Sequence, residues 1–260
     1  MTFLNLTSTH FSDRPLDLAG KLSGRASAGP LVAITLLSGA VFILLFADAL
    51  LHERAFFDTW LLEQATSMNS PALEDVAVRV NELTDDKGAI AAWTITLAGT
   101  LALRWWMAAL AVFAIPLGGI VNEGAGVIAA RDRPSADEFT RAIETTANSF
   151  PSGHVTGAVL LYGLLFVFAG RIENGLIRSA TRAACIMIIL LTGPSRLWFG
   201  AHWPSDILGA YALGGAMLTV IVYGFSRAEH FWRDASSEAP ARGPFASNLI
   251  GSVGAPRDEG

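Results

Sequence analysis

Long apolar stretches divide the chain and constrain its fold more than any other feature of the sequence. A helix of about 20 apolar residues crosses the hydrocarbon core of a bilayer, which is about 30 Å thick. Backbone groups in lipid must be satisfied within their own segment, so such stretches form helices. We predict six spans: Leu31–Leu51, Gly88–Leu103, Met107–Ala130, Val155–Gly170, Leu176–Pro194 and Ile207–Ser226. The sequence therefore predicts an all-α fold, a six-span transmembrane helical bundle.

The composition agrees with a protein that has the membrane bilayer as its partner. Hydrophobic residues make up 52% of the chain and charged residues 16%, whereas soluble domains have about 25% charged residues. The net charge of −5 gives no basic surface for nucleic acid. The single cysteine, Cys185, excludes disulfides within the chain and cysteine-rich metal sites.

The spans define three regions. Residues 1–29 are predicted to be a cytoplasmic N-terminal segment without a removable signal peptide. Residues 30–226 form the six-span membrane domain. Residues 227–260 are rich in Ala, Ser, Gly and Pro and are predicted to be a disordered cytoplasmic tail.

Ser70-Pro71 starts a predicted amphipathic helix between the first two spans, because Ser and Pro are favoured at these helix positions. This helix could form a lid over a lipid-binding cleft or pack over the span ends.

The distribution of basic residues sets the orientation of the spans. Lys and Arg are favoured in short cytoplasmic loops, and here they precede span one and follow spans two, four and six. The chain is therefore predicted to be an integral, multi-pass protein of the cell (inner) membrane with both termini cytoplasmic. Alternation of six spans then puts the polar ends of spans three to six on the extracytoplasmic side.

One polar cluster connects spans five and six. It contains Arg196, His202 and Asp206 within Ser195–Asp206. A helix that starts near Pro204 can aim the Asp206 carboxylate back at the His202 imidazole, because the two residues are four apart. A histidine oriented by a carboxylate is an activated base or nucleophile. Interfacial anchoring is the alternative, since His, Trp and Arg also occur at lipid headgroups.

Two more clusters lie at span ends on the same predicted side. Pro151-Ser152-Gly153-His154 precedes span four and offers a helix N-terminus, which binds anions. An ordinary helix cap is the alternative interpretation. Arg131-Asp132-Arg133-Pro134 follows span three.

Together the clusters supply the groups of a phosphate site with a nucleophile. Arginines and backbone N–H groups neutralise phosphoryl oxygens, one histidine can attack phosphorus, and the other can protonate the departing oxygen. The sequence has no calcium loop and no His/Cys metal spacing. We therefore expect chemistry without a metal or another cofactor.

These clusters resemble the motifs of the type 2 phosphatidic acid phosphatase superfamily, which also includes soluble acid phosphatases and vanadium haloperoxidases. The second motif, Pro-Ser-Gly-His, is complete at Pro151–His154. The third motif is complete as Ser195-Arg196, His202 and Asp206. The first motif keeps Arg133-Pro134, but Gly126 occupies its lysine position. The resemblance covers about residues 31–225.

The resemblance implies a role for each matching residue. His202 is the nucleophile that forms a phosphohistidine, Asp206 orients His202, and His154 protonates the leaving oxygen and then activates water. The resemblance implies phosphate contacts from Arg133, Arg196, the Ser152 hydroxyl and the Gly153 N–H. We expect Arg131 to compensate for the missing lysine if its side chain reaches the phosphate.

The resemblance also implies lipid phosphates as substrates. We expect a metal-independent phosphatase that acts on a lipid phosphate or diphosphate at the extracytoplasmic face. A lipid phosphotransferase with the same intermediate and a non-catalytic lipid-phosphate binding protein are the alternatives. The position of the clusters on membrane spans disfavours a haloperoxidase.

Overall fold

The protein is described here by a computed structural model, which covers residues 28–52, 54–135, 137–139 and 148–237. These residues form α-helices and one short 3₁₀ turn, and no strand occurs among them. The all-α prediction is confirmed. The helices are α1 Ala28–Leu51, α2 Asp58–Ser67, α3 Pro71–Thr84, α4 Asp86–Ala102, α5 Trp106–Phe113, α6 Ile115–Ala129, α7 Gly153–Phe168, α8 Gly175–Trp198 and α9 Pro204–Ser237.

Five segments in the described part of the chain are long and apolar enough to cross a membrane. They are Gly29–Leu51, Trp106–Ala129, Gly153–Arg171, Gly175–Trp198 and Pro204–Glu229. Helix α4 occupies the second predicted span, but its 17 residues extend only about 25 Å at 1.5 Å per residue. The third predicted span consists of two helices, α5 and α6, that meet at Ala114 just before Pro116.

Helix α9 packs along α1 and α7, and α7 packs in turn against α6 and α8. Small and hydroxyl-bearing residues allow these helices to approach closely, as is typical of membrane bundles. Thr35 and Thr219 share a hydrogen bond of 2.7 Å between α1 and α9. A Cβ atom on Gly214 would lie 2.9 Å from Val159, so the contact of α9 with α7 requires glycine at this position.

The short helices α2 and α3 lie over one end of the bundle. Helix α3 begins at Pro71 after the cap residue Ser70, as predicted. Its residues Ala77 and Val80 are buried, and the helix packs against α8. These contacts support the interpretation of α3 as a helix that packs over the span ends.

The structure corrects the start of the predicted C-terminal tail. Helix α9 continues to Ser237, so residues 227–237 are helical rather than disordered. Apolar composition predicted where the span ends, but helical hydrogen bonding does not depend on hydrophobicity and continues into the polar segment. The predicted N-terminal segment up to residue 27 and the rest of the predicted tail, residues 238–260, lie outside the described residues, as do residues 53, 136 and 140–147.

Candidate active site

The loop between α8 and α9 has a defined conformation that follows from its glycine. Gly200 has φ 58°, a left-handed conformation that glycine adopts without steric cost. Its N–H donates to the Leu197 carbonyl at 2.9 Å, and the Ala201 N–H donates to the Arg196 carbonyl at 3.0 Å. This pair of bonds is a Schellman motif. It ends α8 and reverses the chain so that His202 lies beside the end of α8.

Helix α9 then begins with a reciprocal cap. Trp203 precedes Pro204, and its N–H donates to Asp206 Oδ2 at 2.8 Å. The Asp206 N–H donates in return to the Trp203 carbonyl at 3.0 Å. A carboxylate at the third helical position often caps a helix in this way. The cap fixes the Asp206 carboxylate beneath the loop that carries His202.

His202 is buried, and its ring is oriented by a backbone carbonyl. The His202 Nδ1 atom lies 2.8 Å from the Ser149 carbonyl oxygen, and 3.8 Å from Asp206 Oδ2. The 3.8 Å separation is longer than an ordinary hydrogen bond, and the orientation of His202 by Asp206 stays a prediction. Asp206 faces the imidazole as a nearby charge. Burial lowers the pKa of His202 below its ordinary value of 6.5.

The Asp206 carboxylate accepts three hydrogen bonds and is completely buried. Its Oδ2 atom accepts from the Ser149 hydroxyl at 2.5 Å as well as from the Trp203 N–H. Its Oδ1 atom accepts from Arg131 Nη1 at 2.9 Å. Asp206 therefore joins the start of α9 to the segments before α7 and after α6.

Arg131 lies in this buried network rather than at the phosphate-binding side of His202. Its Nη1 atom also donates to the Ser205 hydroxyl at 2.6 Å, and its Nη2 atom donates to Asp58 Oδ2 at 2.8 Å. These contacts disfavour the expectation that Arg131 replaces the missing lysine in phosphate binding. Its guanidinium pairs with two carboxylates. A buried charge needs such partners, because burying it unpaired is costly.

Arg133 is the arginine that contacts His202. Its Nη1 atom donates to the Ala201 carbonyl at 2.9 Å and lies 3.4 Å from His202 Nε2. Its Nη2 atom lies 3.3 Å from the Asn148 carbonyl oxygen. Burial lowers the pKa of Arg133 from its ordinary value, but an arginine remains charged. The guanidinium therefore lies beside the imidazole nitrogen that points away from Ser149.

The N-terminus of α7 supplies the second histidine. His154 is half-buried and close enough to Arg196, His202 and Arg133 to interact with them electrostatically. Ser152 precedes the helix and is completely buried, yet its hydroxyl has no hydrogen-bond partner among the described residues. Within that part of the chain no side chain caps this helix start, and Gly153 is exposed. Free N–H groups and an unpaired hydroxyl at a helix N-terminus form an anion site.

Arg196 completes the cationic side of the site from the last turn of α8. It is buried, its Nη1 atom donates to the Asn81 side-chain oxygen, and its guanidinium lies 5.5 Å from the ring of Phe199. Its Nε atom is buried and has no hydrogen-bond partner in the part of the chain that the structure describes. A buried donor of this kind is costly unless a ligand or water satisfies it.

Gly126 lies in α6 behind the segment that precedes the second motif. A Cβ atom on Gly126 would lie 3.2 Å from the Phe150 carbonyl oxygen and 3.6 Å from the Asn148 Cβ atom. One turn earlier, Asn122 donates to the Pro151 carbonyl at 3.2 Å and accepts from the Thr156 hydroxyl at 2.8 Å. Asn122 thus fixes α6 against the start of α7.

A cavity of about 510 Å³ extends from His154 between α4, α6 and α7. Its lining is mostly apolar, with Ile90, Trp93 and Leu161 among its walls. Gly153 and His154 line one part of it. The cavity therefore joins the polar site to an apolar interior that a hydrocarbon chain can occupy.

The structure brings together the predicted residues His154, His202, Asp206, Arg133 and Arg196 at one end of the bundle. Sequence reasoning missed Asp58, Ser149 and Asn81. Asp58 lies in an acid-rich segment with no motif around it, and Ser149 acts partly through its backbone. No sequence pattern marked these three residues.

This fold and this arrangement of histidines and arginines define a class of protein. Residues 105–229 match the model of the PAP2 superfamily. The resemblance inferred from the motifs is confirmed over these residues.

Known proteins with similar sequences support the same class. Phosphatidylglycerophosphatase B of Bacillus subtilis (strain 168) is 26% identical over 190 residues, which cover 71% of this chain and 91% of that protein. Lipid A 1-phosphatase of Rhizobium etli is 35% identical over 77 residues, which cover 29% of each chain.

A solved structure has a similar fold. The crystal structure of the first transmembrane PAP2 type phosphatidylglycerolphosphate phosphatase, from Bacillus subtilis, superposes with a TM-score of 0.63. The match has 21% sequence identity and covers 75% of this chain and 96% of that chain. Together with the five apolar helices, this fold identifies the chain as a multi-pass membrane protein.

Proposed function

We propose that this protein is a metal-independent lipid phosphatase that forms a phosphohistidine on His202. The observation that carries the proposal is the environment of the His202 ring. Its Nδ1 atom faces a carbonyl oxygen and its Nε2 atom faces the Arg133 guanidinium. A ring held between these two groups presents a nucleophilic nitrogen beside a cation suited to phosphate oxygens.

The partner of Nδ1 determines the tautomer of His202. A carbonyl oxygen only accepts hydrogen bonds, so Nδ1 carries the proton. Nδ1 therefore donates a hydrogen bond to the Ser149 carbonyl oxygen at 2.8 Å. Nε2 is then unprotonated and has its lone pair available. The attack needs no prior deprotonation, because the lowered pKa of His202 keeps the ring neutral near pH 7.

Phosphoryl transfer proceeds in two steps. In the first, Nε2 of His202 bonds to phosphorus while the bond to the leaving oxygen breaks, and His154 gives that oxygen a proton. In the second, His154 takes a proton from water, which attacks phosphorus and releases phosphate and neutral His202. Arg133, Arg196 and the helix N-terminus at Gly153 neutralise the phosphoryl oxygens in both steps.

The unpaired groups support this assignment. The Ser152 hydroxyl and the Arg196 Nε atom are buried donors without partners among the described residues. Both belong to the two complete motifs, and both suit a phosphoryl oxygen as acceptor. A helix cap or an interfacial anchor would not leave both donors unpaired.

We assign lipid phosphates as the substrate class. The two relatives are named for the removal of phosphate from phosphatidylglycerophosphate and from lipid A. The apolar cavity beside His154 supports a substrate whose leaving group carries hydrocarbon chains. A lipid phosphate or a lipid diphosphate has this combination of an anionic head and an apolar body.

We also propose six spans within a membrane domain of residues 30–226, with both termini cytoplasmic and the site at the extracytoplasmic face of the cell (inner) membrane. Reporter fusions after residues 65 and 104 test this topology, because α4 lies between them. The first should report the extracytoplasmic side and the second the cytoplasm. The same side for both fusions would mean that α4 does not span, and the proposed topology would be wrong.

Phosphate release by the full-length protein in detergent tests the activity. The panel contains phosphatidate, phosphatidylglycerophosphate, a polyprenyl diphosphate and lipid A. His202→Asn keeps a polar side chain of similar size and should abolish release, whereas Arg79→Gln alters an exposed arginine of α3 and should not. A phosphorylated lipid product without free phosphate would indicate a phosphotransferase. Binding of lipid phosphate without either product would indicate a binding protein.

A further inference from the structure

Asp58 is a completely buried carboxylate outside the three motifs and outside the residues matched by the family model. It lies in the first turn of α2. Its Oδ1 atom accepts from the Ser205 N–H at 2.8 Å. Its Oδ2 atom accepts from the Ser205 hydroxyl at 2.7 Å, from the Ala55 N–H at 2.8 Å and from Arg131 at 2.8 Å. Burying a charge without partners is costly. The four donors compensate that cost, so the structure specifically stabilises a carboxylate at this position.

Arg131 connects Asp58 to the acid beside the nucleophile. Its guanidinium lies 2.8 Å from Asp58 Oδ2 and 2.9 Å from Asp206 Oδ1, and all three side chains are buried. Two carboxylates and one guanidinium leave one net negative charge in this cluster. Without Asp58, Arg131 would pair with Asp206 alone and the cluster would be neutral.

The net charge matters because of what His202 becomes. When Nε2 bonds to phosphorus and the bond to the leaving oxygen breaks, Nδ1 keeps its proton and the ring gains a positive charge. Asp206 lies 3.8 Å from Nδ1 on one side of the ring. Arg133 contacts Nε2 on the other side, and Arg196 lies within electrostatic range. These two arginines oppose a positive ring, so a negative charge on the Nδ1 side offsets them.

We infer that Asp58 is a positioning residue that balances the charge of Arg131, so that Asp206 keeps a net negative charge for His202. This inference rests on the proposed function. Asp58 touches neither the nucleophile nor the phosphate-binding groups. Its effect passes through Arg131 and through Ser205, which it holds at the start of α9.

Three variants separate charge balance from simple bracing: Asp58→Asn, Arg131→Gln and the double variant. The pKa of His202 is measured by nitrogen NMR of full-length protein labelled in histidine, with the His202→Asn spectrum for assignment. Asp58→Asn removes a negative charge and should lower this pKa by about one unit. Arg131→Gln removes a positive charge and should raise it by about as much. The double variant keeps the net charge and should return the pKa to near the wild-type value.

The pH dependence of kcat/KM supplies a second readout. Neutral His202 is the reactive form, so the acidic limb should move to lower pH in Asp58→Asn and to higher pH in Arg131→Gln. At neutral pH, Asp58→Asn should reduce kcat/KM about tenfold, and adding Arg131→Gln should recover part of the loss. Asp58→Glu, which keeps the charge, should retain the wild-type limb.

A different pattern is expected if Asp58 and Arg131 only stabilise the structure through their hydrogen bonds. Each substitution then removes hydrogen bonds, so kcat/KM of the double variant should be no higher than that of the worse single variant. The two single variants should not shift the His202 pKa in opposite directions. That result overturns the inference. If Asp58→Asn does not fold, an unchanged His202 pKa in Arg131→Gln overturns it as well. Failure of the proposed function would instead appear as no phosphate release by the wild-type protein, and the NMR titration would still test the charge balance.

Discussion

Asp206→Asn removes a negative charge beside the proposed nucleophile and keeps the size of the side chain. His202 Nδ1 and Asp206 Oδ2 are 3.8 Å apart. Two unit charges at that distance attract by about 4 kcal/mol with an effective dielectric constant near 20. This attraction develops as the ring becomes cationic, so its loss should slow phosphorylation of His202 about 10³-fold. KM should change little, because Asp206 lies on the side of the ring away from the substrate.

The assay is rapid quench with a lipid substrate labelled in its phosphate, which follows formation of the phosphoenzyme directly. Ser149→Ala is the matched control. It removes the hydroxyl that donates to Asp206 but keeps the backbone carbonyl that accepts from His202. We expect Ser149→Ala to stay within about tenfold of the wild-type rate, as for the loss of one hydrogen bond.

Two outcomes would refute this reasoning. A folded Asp206→Asn protein with nearly wild-type phosphorylation would show that the charge is not used. A Ser149→Ala protein as slow as Asp206→Asn would assign the orientation of His202 to the hydroxyl. Thermal unfolding in detergent is the folding control, since an amide must face three hydrogen-bond donors in place of the carboxylate and is expected to cost about 1–3 kcal/mol.

Further predictions concern metals, the missing lysine, the second histidine and pH. Excess EDTA should leave turnover unchanged and vanadate should inhibit it, whereas loss of activity in EDTA and recovery with magnesium would exclude the metal-free mechanism. Gly126→Lys should raise kcat/KM for phosphatidate about tenfold by adding a cation. Its unfolding temperature should fall slightly, because the new Cβ atom would lie 3.2 Å from the Phe150 carbonyl oxygen. Unchanged kcat/KM in a folded variant would show that this position does not reach the phosphate. His154→Ala should accumulate label on His202 with an activated aryl phosphate, and peptide mapping that finds the label elsewhere would reverse the assignment. The pKa of His202 is lowered in the native protein, so below about pH 6.5 this imidazole binds a proton in the unfolded chain but not in the native protein. The free energy of unfolding should therefore fall as the pH drops below about 6.5. The His202→Asn variant should lack this contribution to the pH dependence.

The sequence predicted the apolar helices well because lipid leaves a chain few alternatives. Five predicted spans correspond to segments with sufficient length and hydropathy. The sequence predicted the ends of the helices less well. Helix α9 continues past Ser226 to Ser237, and the third span divides at Ala114 near Pro116. These ends depend on local hydrogen bonding, which hydropathy does not report.

The motifs predicted which residues meet at the site, but the structure was needed to assign their partners. His154, His202 and Arg133 lie at helix ends that the bundle brings together. The partner of His202 Nδ1 is a backbone carbonyl 53 residues earlier, which no residue type can indicate. Arg131 was expected to compensate for the missing lysine, whereas in the structure it pairs with the buried Asp58, which no sequence pattern marked.

The contacts behind His202 also constrain when the protein can become active during its synthesis. Asp58 pairs with Ser205 across 147 positions, Asn81 with Arg196 across 115, and Arg131 with Asp206 across 75. Each pair gains its second member only when the last two helices emerge from the ribosome. A nascent chain that has inserted its first four apolar segments therefore holds His154 and Arg133 without a nucleophile. Under the proposed mechanism, hydrolysis therefore begins only once the segment that carries His202 has joined the helical bundle.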